Sequence, residues 1–312
     1  MPCYTPINAY VAPGKTENGK KVIVFKRPET IMEEIQLPCG QCIGCRLLRS
    51  VSWAARCMHE IQLHDQNCFI TLTYDDENLP SDYSLRKEDF QKFLKRLRKD
   101  ISPRKIRYFM CGEYGDESWR PHYHAIIFNY AFPDKQRVQI KEVENPTYIS
   151  TQLSRLWTHG NHLIDEANFN TAAYIARYCT KKITGEKAES HYSRTILDWN
   201  EFTGEINHWQ EVELTPEYAT MSKKPAIGKD WFEKYKNDCY PSDFLIVDGR
   251  KVPIPRYYDK LMELEDEYVI RLQKEERKQQ ALENADDNTF YRLYQRQIAK
   301  EAQTASLRRN KI

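Results

Sequence analysis

Two histidines separated by a single residue, His122 and His124, have the type and spacing expected of metal ligands. They begin a segment, residues 122–128, whose second half is apolar and whose β-branched and aromatic residues predict a strand. Because residues i and i+2 of a strand point to the same face, both imidazoles can reach one ion. The alternative interpretation is a pair of histidines that are only hydrogen-bonded on the surface of a sheet.

A carboxylate from the preceding segment would complete such a site. Glu113 stands at the end of the preceding predicted strand, and Asp116 and Glu117 lie in the same loop as alternative ligands. Two imidazoles, one carboxylate and open positions suit Mg²⁺ or Mn²⁺ acting on a phosphate oxygen, and the nitrogen ligands favour Mn²⁺. The sequence therefore predicts a divalent-ion site, with Glu113 as the first choice for the third ligand.

A second pair of reactive side chains lies on a predicted helix, residues 170–182. Tyr174 and Tyr178 are four residues apart and therefore share one helix face. Lys181 and Lys182 follow within one turn, close enough to place a cation beside a phenol. A tyrosine, with a pKa of about 10, becomes a useful nucleophile when a metal-polarised phosphate and a nearby cation assist it. Core packing of two aromatic rings is the alternative interpretation.

Four of the nine cysteines form a third group of candidate ligands. Cys39, Cys42 and Cys45 repeat at the C-x-x-C spacing that suits a thiolate metal site, and Cys3 would supply a fourth sulfur. The hypothesis is a structural Zn²⁺ site, and the alternative is a set of reduced thiols. An odd number of cysteines in a chain of 312 residues is not typical of a disulfide scaffold.

The elements that must position these residues follow an α+β pattern. Their order is strand, helix, two strands, helix, strand and helix, which is typical of a central antiparallel sheet flanked by helices. Hydrophobic periodicity and turn residues give the boundaries. The predicted helices are residues 46–64, a helix between Ser84 and Pro103, 149–157 and 170–182, and the predicted strands are residues 68–74, 106–111, 122–128 and 161–164.

The helix between Ser84 and Pro103 carries a concentration of positive charge. We expect Ser84 to cap it and its buried stripe to consist of Phe90, Phe93, Leu94 and Leu97. Residues 86–107 contain ten basic and three acidic residues, a local balance of +7 in a chain whose net charge is +2. Such a stripe indicates that one face binds a polyanion, and a solvated helix face is the alternative.

Composition limits the classes of protein to which the chain can belong. The chain is 40% hydrophobic and 12% aromatic, which is enough for a folded core and excludes wholesale disorder. No apolar run reaches the ~18 residues of a membrane-spanning helix, and the N-terminus lacks the layout of a signal peptide. We therefore expect a soluble, intracellular protein with no membrane partner.

Four regions are predicted along the chain. Residues 1–65 form a cysteine-rich segment and a helix, and residues 66–185 form the core that carries the candidate ligands and tyrosines. Residues 186–255 form an accessory region to which no fold can be assigned. Residues 256–312 form a charged helical tail, whose mixed charges are typical of a solvated face.

Three ordered motifs give these residues a family resemblance. They are Phe69-Ile-Thr-Leu-Thr-Tyr74, Gly112-Glu-Tyr-Gly115 with Arg120-Pro-His-Tyr-His124, and Tyr174-Ile-Ala-Arg-Tyr-Cys-Thr-Lys-Lys182. They resemble the motifs of the HUH endonucleases, in the two-tyrosine class of rolling-circle replication initiators. The segment Cys39-Gly-Gln-Cys-Ile-Gly-Cys45 is similar to the start of the replication initiation proteins of gokushovirus-type microviruses, which are small single-stranded-DNA phages. The resemblance covers about residues 1–185.

The resemblance implies an HUH/RRM-like palm and a mechanism. His122 and His124, with Glu113, would hold a divalent ion against the scissile phosphate of single-stranded origin DNA. One tyrosine attacks, leaving a 5′-phosphotyrosyl enzyme and a free 3′-OH that primes synthesis, and the second tyrosine cuts the regenerated origin after one round. The 3′-OH then attacks the first linkage and closes a circle. Lys181 or Lys182 would stabilise charge, with Lys182 the first choice.

The resemblance also implies partners and a place of action. No ATPase module is visible in the sequence, so strand separation would require a host helicase, and the primer would be extended by a polymerase. The expected location is the cytoplasm of the bacterial host cell. Two alternatives remain: a transposase or relaxase of the same fold, and a non-catalytic module that binds single-stranded nucleic acid through the basic helix and aromatic side chains.

Overall fold

The protein is an α+β structure built on a seven-stranded antiparallel sheet, which confirms the predicted fold class. The computed structural model describes residues 3–17, 19–115, 118–139, 146–178, 187–199, 203 and 206–306, with only the backbone at positions 178, 187, 197–199, 207 and 208. The described strands are β1 (Ile7–Lys15), β2 (Lys21–Val24), β3 (Glu33–Leu37), β4 (Asn67–Tyr74), β5 (Arg107–Tyr114), β6 (Pro121–Phe128), β7 (Gln136–Val138), β8 (Thr147–Ile149), β9 (Gly160–Asp165), β10 (Ser193–Trp199), β11 (Ile206–Glu213), β12 (Tyr218–Met221), β13 (Phe244–Val247) and β14 (Arg250–Pro253).

Helices connect and flank these strands. Those within the described residues are α1 (Ile43–Ile61), α2 (Lys87–Asp100), α3 (Thr151–Leu156), α4 (Phe169–Tyr178), α5 (Lys187–Tyr192), α6 (Lys229–Cys239), α7 (Arg256–Glu265), α8 (Glu267–Glu283) and α9 (Phe290–Ser306), with a 3₁₀ turn at Ala285–Asn288. None of these described helices is both long and apolar enough to cross a membrane.

The strand order of the large sheet is β12-β5-β6-β4-β9-β8-β7. Every neighbouring pair in it is antiparallel. The other described sheets are small and have the orders β2-β1-β3, β10-β11 and β13-β14. The strands β4 and β6 lie near the centre of the large sheet, so the two predicted motifs that they carry are adjacent.

One face of the large sheet is covered by a hydrophobic core. Every second residue of β4 and of β6 belongs to this core: Ile70, Leu72, Tyr74, Tyr123, Ala125 and Ile127. Across from them lie the four buried residues of α2, which are Phe90, Phe93, Leu94 and Leu97 as the sequence predicts. The intervening residues of the same strands point to the opposite face.

Two local predictions were wrong. Ser84 does not cap α2: the helix begins at Lys87, and Arg86 is the N-cap without a side-chain hydrogen bond. The Ser84 hydroxyl instead donates to Oγ1 of Thr215 at 3.0 Å and accepts from the Thr215 amide at 2.8 Å. Second, the strand predicted over residues 106–111 ends later, because β5 continues to Tyr114 and includes Glu113.

The described residues group into two compact units. Residues up to Arg49, with those from Ile270 onwards, form one unit, and Ser50–Val269 form the other. The predicted region boundaries at residues 65, 185 and 255 stay predictions. The first unit contains the sheet β2-β1-β3, which the sequence did not reveal because Pro13 and Gly14 interrupt β1, where its register with β2 shifts between Ala12 and Lys15.

Within the second unit, α6 of the unassigned region and α7 of the predicted tail pack against α1. The Arg56 guanidinium lies 4.1 Å from the ring centroids of both Trp53 and Tyr257. The His59 ring stacks on Trp231 at 3.5 Å, and its Nδ1 is 2.9 Å from the Tyr258 hydroxyl. Burial lowers the pKa of His59 to about 3, so these contacts are made by a neutral imidazole.

Gly160 opens β9 where that strand meets the end of β4, and its φ of +136° is accessible mainly to glycine. A Cβ there would lie 2.2 Å from the backbone nitrogen of Asp75. We expect Gly160→Ala to lower the free energy of unfolding by at least about 3 kcal/mol in denaturant titrations. Gly249→Ala is the control, because its φ is +68° but nothing lies within 4 Å, and it should cost only about 1 kcal/mol. Equal losses in the two variants would rule out the backbone clash as the cause.

Candidate active site

The register between β5 and β6 brings the predicted ligands to one point. Glu113 is the cross-strand partner of His122, and Cys111 is the partner of His124, so all four residues share one face. Oε1 of Glu113 lies 3.0 Å from Nε2 of His122 and 2.8 Å from Nε2 of His124. Glu113 and His124 are buried, while His122 is partly accessible. The three groups offer ligand atoms that all lie within 4.8 Å of one another.

The other ring nitrogen of each histidine is held by a neighbouring residue. Nδ1 of His122 lies 3.0 Å from the carbonyl oxygen of Arg120, and since a carbonyl only accepts, this nitrogen donates. Nδ1 of His124 lies 2.9 Å from Oγ1 of Thr71 in a buried hydrogen bond. Both interactions aim Nε2 at Glu113 and are the kind that orients metal-binding imidazoles.

The charge of Glu113 is set by two opposing effects. Burial by itself would raise the pKa of this carboxyl group, but the hydrogen bonds and positive charge from His122 and His124 hold the pKa below its usual value. The site therefore favours an ionised carboxylate beside two imidazole nitrogens. This donor set fits a divalent cation.

Tyr174 reaches the same point from α4. Its hydroxyl lies 3.5 Å from Oε1 of Glu113, and its ring contacts His124 edge-on, with centroids 5.0 Å apart. A second edge-on contact, at 6.3 Å, joins it to Phe69 of β4. The structure thus brings together one carboxylate, two imidazoles and one phenol from three different elements.

Two contacts fix the position of α4. Before its first turn, the Asn168 side chain accepts from the Thr171 amide at 3.0 Å, and Thr171 Oγ1 accepts from the Asn168 amide at 2.9 Å. This reciprocal pair gives hydrogen-bond partners to two backbone N–H groups that have none within the helix. Farther along, the buried hydroxyl of Ser50 in α1 donates to the carbonyl oxygen of Ala173 at 3.1 Å, next to Tyr174.

Several predicted site residues lie outside the described part of the chain. The backbone of Tyr178 belongs to α4, but its side chain is not described. Lys181 and Lys182 lie outside the described residues, as do the two alternative ligands Asp116 and Glu117.

Thr71 and Arg120 are site residues that the sequence reasoning missed. Arg120 presents its carbonyl to His122, while its guanidinium donates to the Tyr74 carbonyl at 2.8 Å and pairs with Asp76. Thr71 is recognised only through its cross-strand pairing with His124. Both residues lie inside the three ordered motifs. Their contacts with the histidines depend on how neighbouring strands pair, and the pattern within one strand does not reveal that pairing.

The four cysteines expected to bind metal also converge. The cluster consists of Cys3, Cys39, Cys42 and Cys45, and their Sγ atoms all lie within 4.8 Å of one another. Sγ of Cys39 accepts hydrogen bonds from the Thr5 hydroxyl at 3.1 Å and the Cys42 amide at 3.2 Å. Burial would raise the pKa of the Cys39 thiol, but these bonds and one from the Gln41 amide lower it to about 6. The thiolate form that metal binding needs is therefore favoured at Cys39.

Known proteins similar to this chain are replication-associated proteins of phages. VP4 of Bdellovibrio phage phiMH2K is 35% identical over 83% of this chain and 76% of the relative. ORF2 of Spiroplasma virus 4 is 32% identical over 84% and 77%, and ORF4 of Chlamydia phage 1 is 28% identical over 76% and 58%. A family model described as replication-associated protein ORF2/G2P matches residues 67–183. No solved structure matches the chain.

The Thr71 hydroxyl gives the first test of this site. Thr71→Val keeps the side-chain shape but removes the hydrogen bond to His124, and we expect affinity for Mn²⁺ to fall about 10- to 100-fold in calorimetric titrations. Thr71→Ser should restore most of the affinity. Thr195→Val, the same substitution at an exposed position of β10 outside the large sheet, is the control and should bind Mn²⁺ as the wild type does. Unchanged affinity in Thr71→Val would mean that His124 is held without this hydroxyl.

Proposed function

We propose, since the chain belongs to the family of phage replication-associated proteins, that it is a metal-dependent endonuclease and strand transferase acting on single-stranded origin DNA. The observation that carries the proposal is the approach of the Tyr174 hydroxyl to Glu113, which itself faces both His122 and His124. A nucleophile beside a divalent-cation donor set is the arrangement that phosphoryl transfer to tyrosine needs.

Glu113, His122 and His124 would hold Mg²⁺ or Mn²⁺. When bound, such an ion polarises a phosphate oxygen and offsets the charge that develops there. The protein residues do the rest of the positioning. Thr71 and Arg120 fix the two imidazoles, and Phe69 and His124 hold the Tyr174 ring edge-on, which reduces the orientational freedom that a reacting phenol must lose.

The proposed reaction exchanges one phosphodiester for another. The Tyr174 oxygen bonds to phosphorus while the bond from phosphorus to the 3′ oxygen breaks, which gives a 5′-phosphotyrosyl linkage and a free 3′-OH. The phenol releases one proton and the 3′ oxygen takes up one, so the step requires no external energy source. Because the phosphodiester is conserved, the 3′-OH can later attack the tyrosyl linkage and rejoin the strand.

The remaining assignments extend this mechanism. Tyr178, one turn after Tyr174, is proposed to be the second nucleophile, which cuts the regenerated origin after one round of rolling-circle synthesis. Lys181 or Lys182 is proposed to stabilise the phenolate or phosphate charge. A host helicase and polymerase would open and extend the strand in the cytoplasm of the bacterial host.

Covalent capture of DNA tests the function and the order of the tyrosines. End-labelled single-stranded oligonucleotides tiling the replicon are incubated with protein and Mn²⁺ or Mg²⁺ and separated on a denaturing gel. We expect an EDTA-sensitive, detergent-stable adduct to one oligonucleotide, with the modified peptide mapped to Tyr174 in the wild type. Tyr174→Phe should reduce the initial rate at least about 100-fold, and Tyr178→Phe should leave that rate nearly unchanged.

The contradicting outcomes are distinct. A wild-type adduct that maps to Tyr178 would reverse the order of the two nucleophiles. DNA that binds but is fully released by detergent across the whole tiling would favour a non-catalytic binding module. Tyr108→Phe is the control for a tyrosine substitution elsewhere in the large sheet, because Tyr108 packs on Phe90 in the α2 core.

We also propose that Cys3, Cys39, Cys42 and Cys45 hold a structural Zn²⁺. The proposal is supported by the convergence of four sulfur atoms and by the lowered pKa of Cys39. A zinc ion would tie the N-terminal residue Cys3 to the start of α1, which contains Cys45.

Elemental analysis of purified protein tests the zinc site. We expect one zinc per chain in the wild type and less than about a tenth of that in Cys42→Ala, because three thiolates bind zinc far more weakly than four. Cys239→Ala removes a buried thiol outside the cluster and should retain full zinc. Absence of stoichiometric zinc in the wild type would end the proposal.

A further inference from the structure

The solvent-facing side of α2 is strongly basic. Eight exposed residues of α2 include five cations and two carboxylates: Lys87, Glu88, Gln91, Lys92, Lys95, Arg98, Lys99 and Asp100. Four of the cations make no ion pair with any carboxylate of the described residues, whereas Lys92 pairs with Asp89 at 3.6 Å. We call these four, Lys87, Lys95, Arg98 and Lys99, the α2 basic face.

Helix stability does not account for this arrangement. Lys87 is the first residue of α2, where a cation opposes the helix dipole. Lys95 is three residues before Arg98 and four before Lys99, and like charges at these spacings repel. Arg98 and Lys99 do complement the dipole at the C-terminal end, as Glu88 and Asp89 do in the first turn. The helix nevertheless has six basic residues against three acidic ones, so positive charge remains in excess.

The α2 basic face lies behind the sheet that carries the candidate active site. The buried side of α2 packs on the sheet face that contains Leu72 and Tyr123, with the Phe90 and Tyr123 rings 5.9 Å apart. Tyr123 stands between His122 and His124 in β6 and therefore points away from them. DNA at Tyr174 cannot touch the α2 basic face without passing around the sheet.

The chain topology offers a path for such a strand. β4 ends at Tyr74, and its Thr73 is the cross-strand partner of His122, so this end of the sheet is next to the accessible histidine. A cleft of about 470 Å³ opens beyond this end, between the loop after β4 and the first turns of α2. Its charged lining is mixed, with Arg86 and Lys92 beside Glu88 and Asp89. A volume of this size accommodates a nucleotide-sized group.

We propose that the α2 basic face binds the phosphate backbone of the single-stranded DNA that extends beyond the cleavage site. The inference rests on the proposed function, because it concerns the strand on which Tyr174 acts. The ligand chemistry is a run of phosphodiesters, to which four unpaired cations along a 14-residue helix are complementary. The contacts are to the backbone, so they anchor the strand without reading its sequence.

The test compares a charge-neutralised variant with the wild type on oligonucleotides of increasing length. The variant carries Lys87→Gln, Lys95→Gln, Arg98→Gln and Lys99→Gln, all at exposed positions. Affinity is measured by fluorescence anisotropy at several salt concentrations without divalent ions. On long oligonucleotides we expect the slope of log affinity against log salt to become shallower by about 3, and affinity at low salt to fall at least about tenfold.

Two controls isolate the position of the charge. Lys223→Gln, Lys234→Gln, Arg256→Gln and Lys260→Gln remove the same number of lysines and arginines from exposed positions of the same unit, and this control should keep the wild-type slope. A variant with Lys87→Arg, Lys95→Arg and Lys99→Arg keeps the charge and should also bind as the wild type does. Oligonucleotides that cover only the cleavage site should bind all proteins equally.

The outcomes separate this proposal from the proposed function. The role of the α2 basic face is overturned if the neutralised variant keeps the wild-type slope of log affinity against log salt. It is also overturned if the control loses as much DNA affinity as the neutralised variant. Adduct formation on the shortest cleavable oligonucleotide, at saturating protein, should be equal in the variant and the wild type. If the wild type forms no adduct at all, the nuclease proposal fails, and the length and salt dependence still decide whether α2 binds DNA.

Discussion

Backbone pairing between β5 and β6 places Glu113 opposite His122 and Cys111 opposite His124. The same ladder directs the residues in between, including Tyr123, into the core beneath α2. A slip of one residue would exchange the two faces and put a carboxylate into the core. The stability of the sheet and the geometry of the candidate site therefore depend on a single register, and a change that loosens the core also loosens the ligands.

Burial strengthens this dependence. Glu113 is only 1% exposed, and an ionised carboxylate in that position is tolerable because Nε2 of His122 and Nε2 of His124 lie 3.0 and 2.8 Å from it. The imidazoles are in turn held by Thr71 and Arg120. Close polar contacts thus connect Thr71 of β4, Glu113 of β5 and the two histidines of β6, and they orient the candidate ligands.

Much of the site was predictable from local patterns. The alternation around His122 and His124, the stripe of α2 and the cysteine spacing are all short-range signals, and the structure places those residues as the patterns imply. The register puts Glu113, the first choice for the third ligand, beside the histidines. The role of each residue in catalysis stays a prediction.

What could not be predicted depends on contacts between distant segments. Ser84 has the type of a helix cap, but its hydroxyl is occupied by Thr215, which is far away in sequence. No fold could be assigned to residues 186–255 from local patterns, and Trp231 of this region stacks on His59 of α1, a contact between distant segments. Local propensity is overridden wherever such tertiary contacts satisfy a polar group or bury a ring.

The connection between β5 and β6 is short, and it has a consequence for the order of events on the ribosome. Short loops close at little entropic cost and hairpins form within microseconds. All three candidate ligands lie on this hairpin, whereas Tyr174 follows on α4, roughly a few seconds later at ordinary rates of translation. A nascent chain would therefore contain all three candidate ligands before Tyr174 has been synthesised.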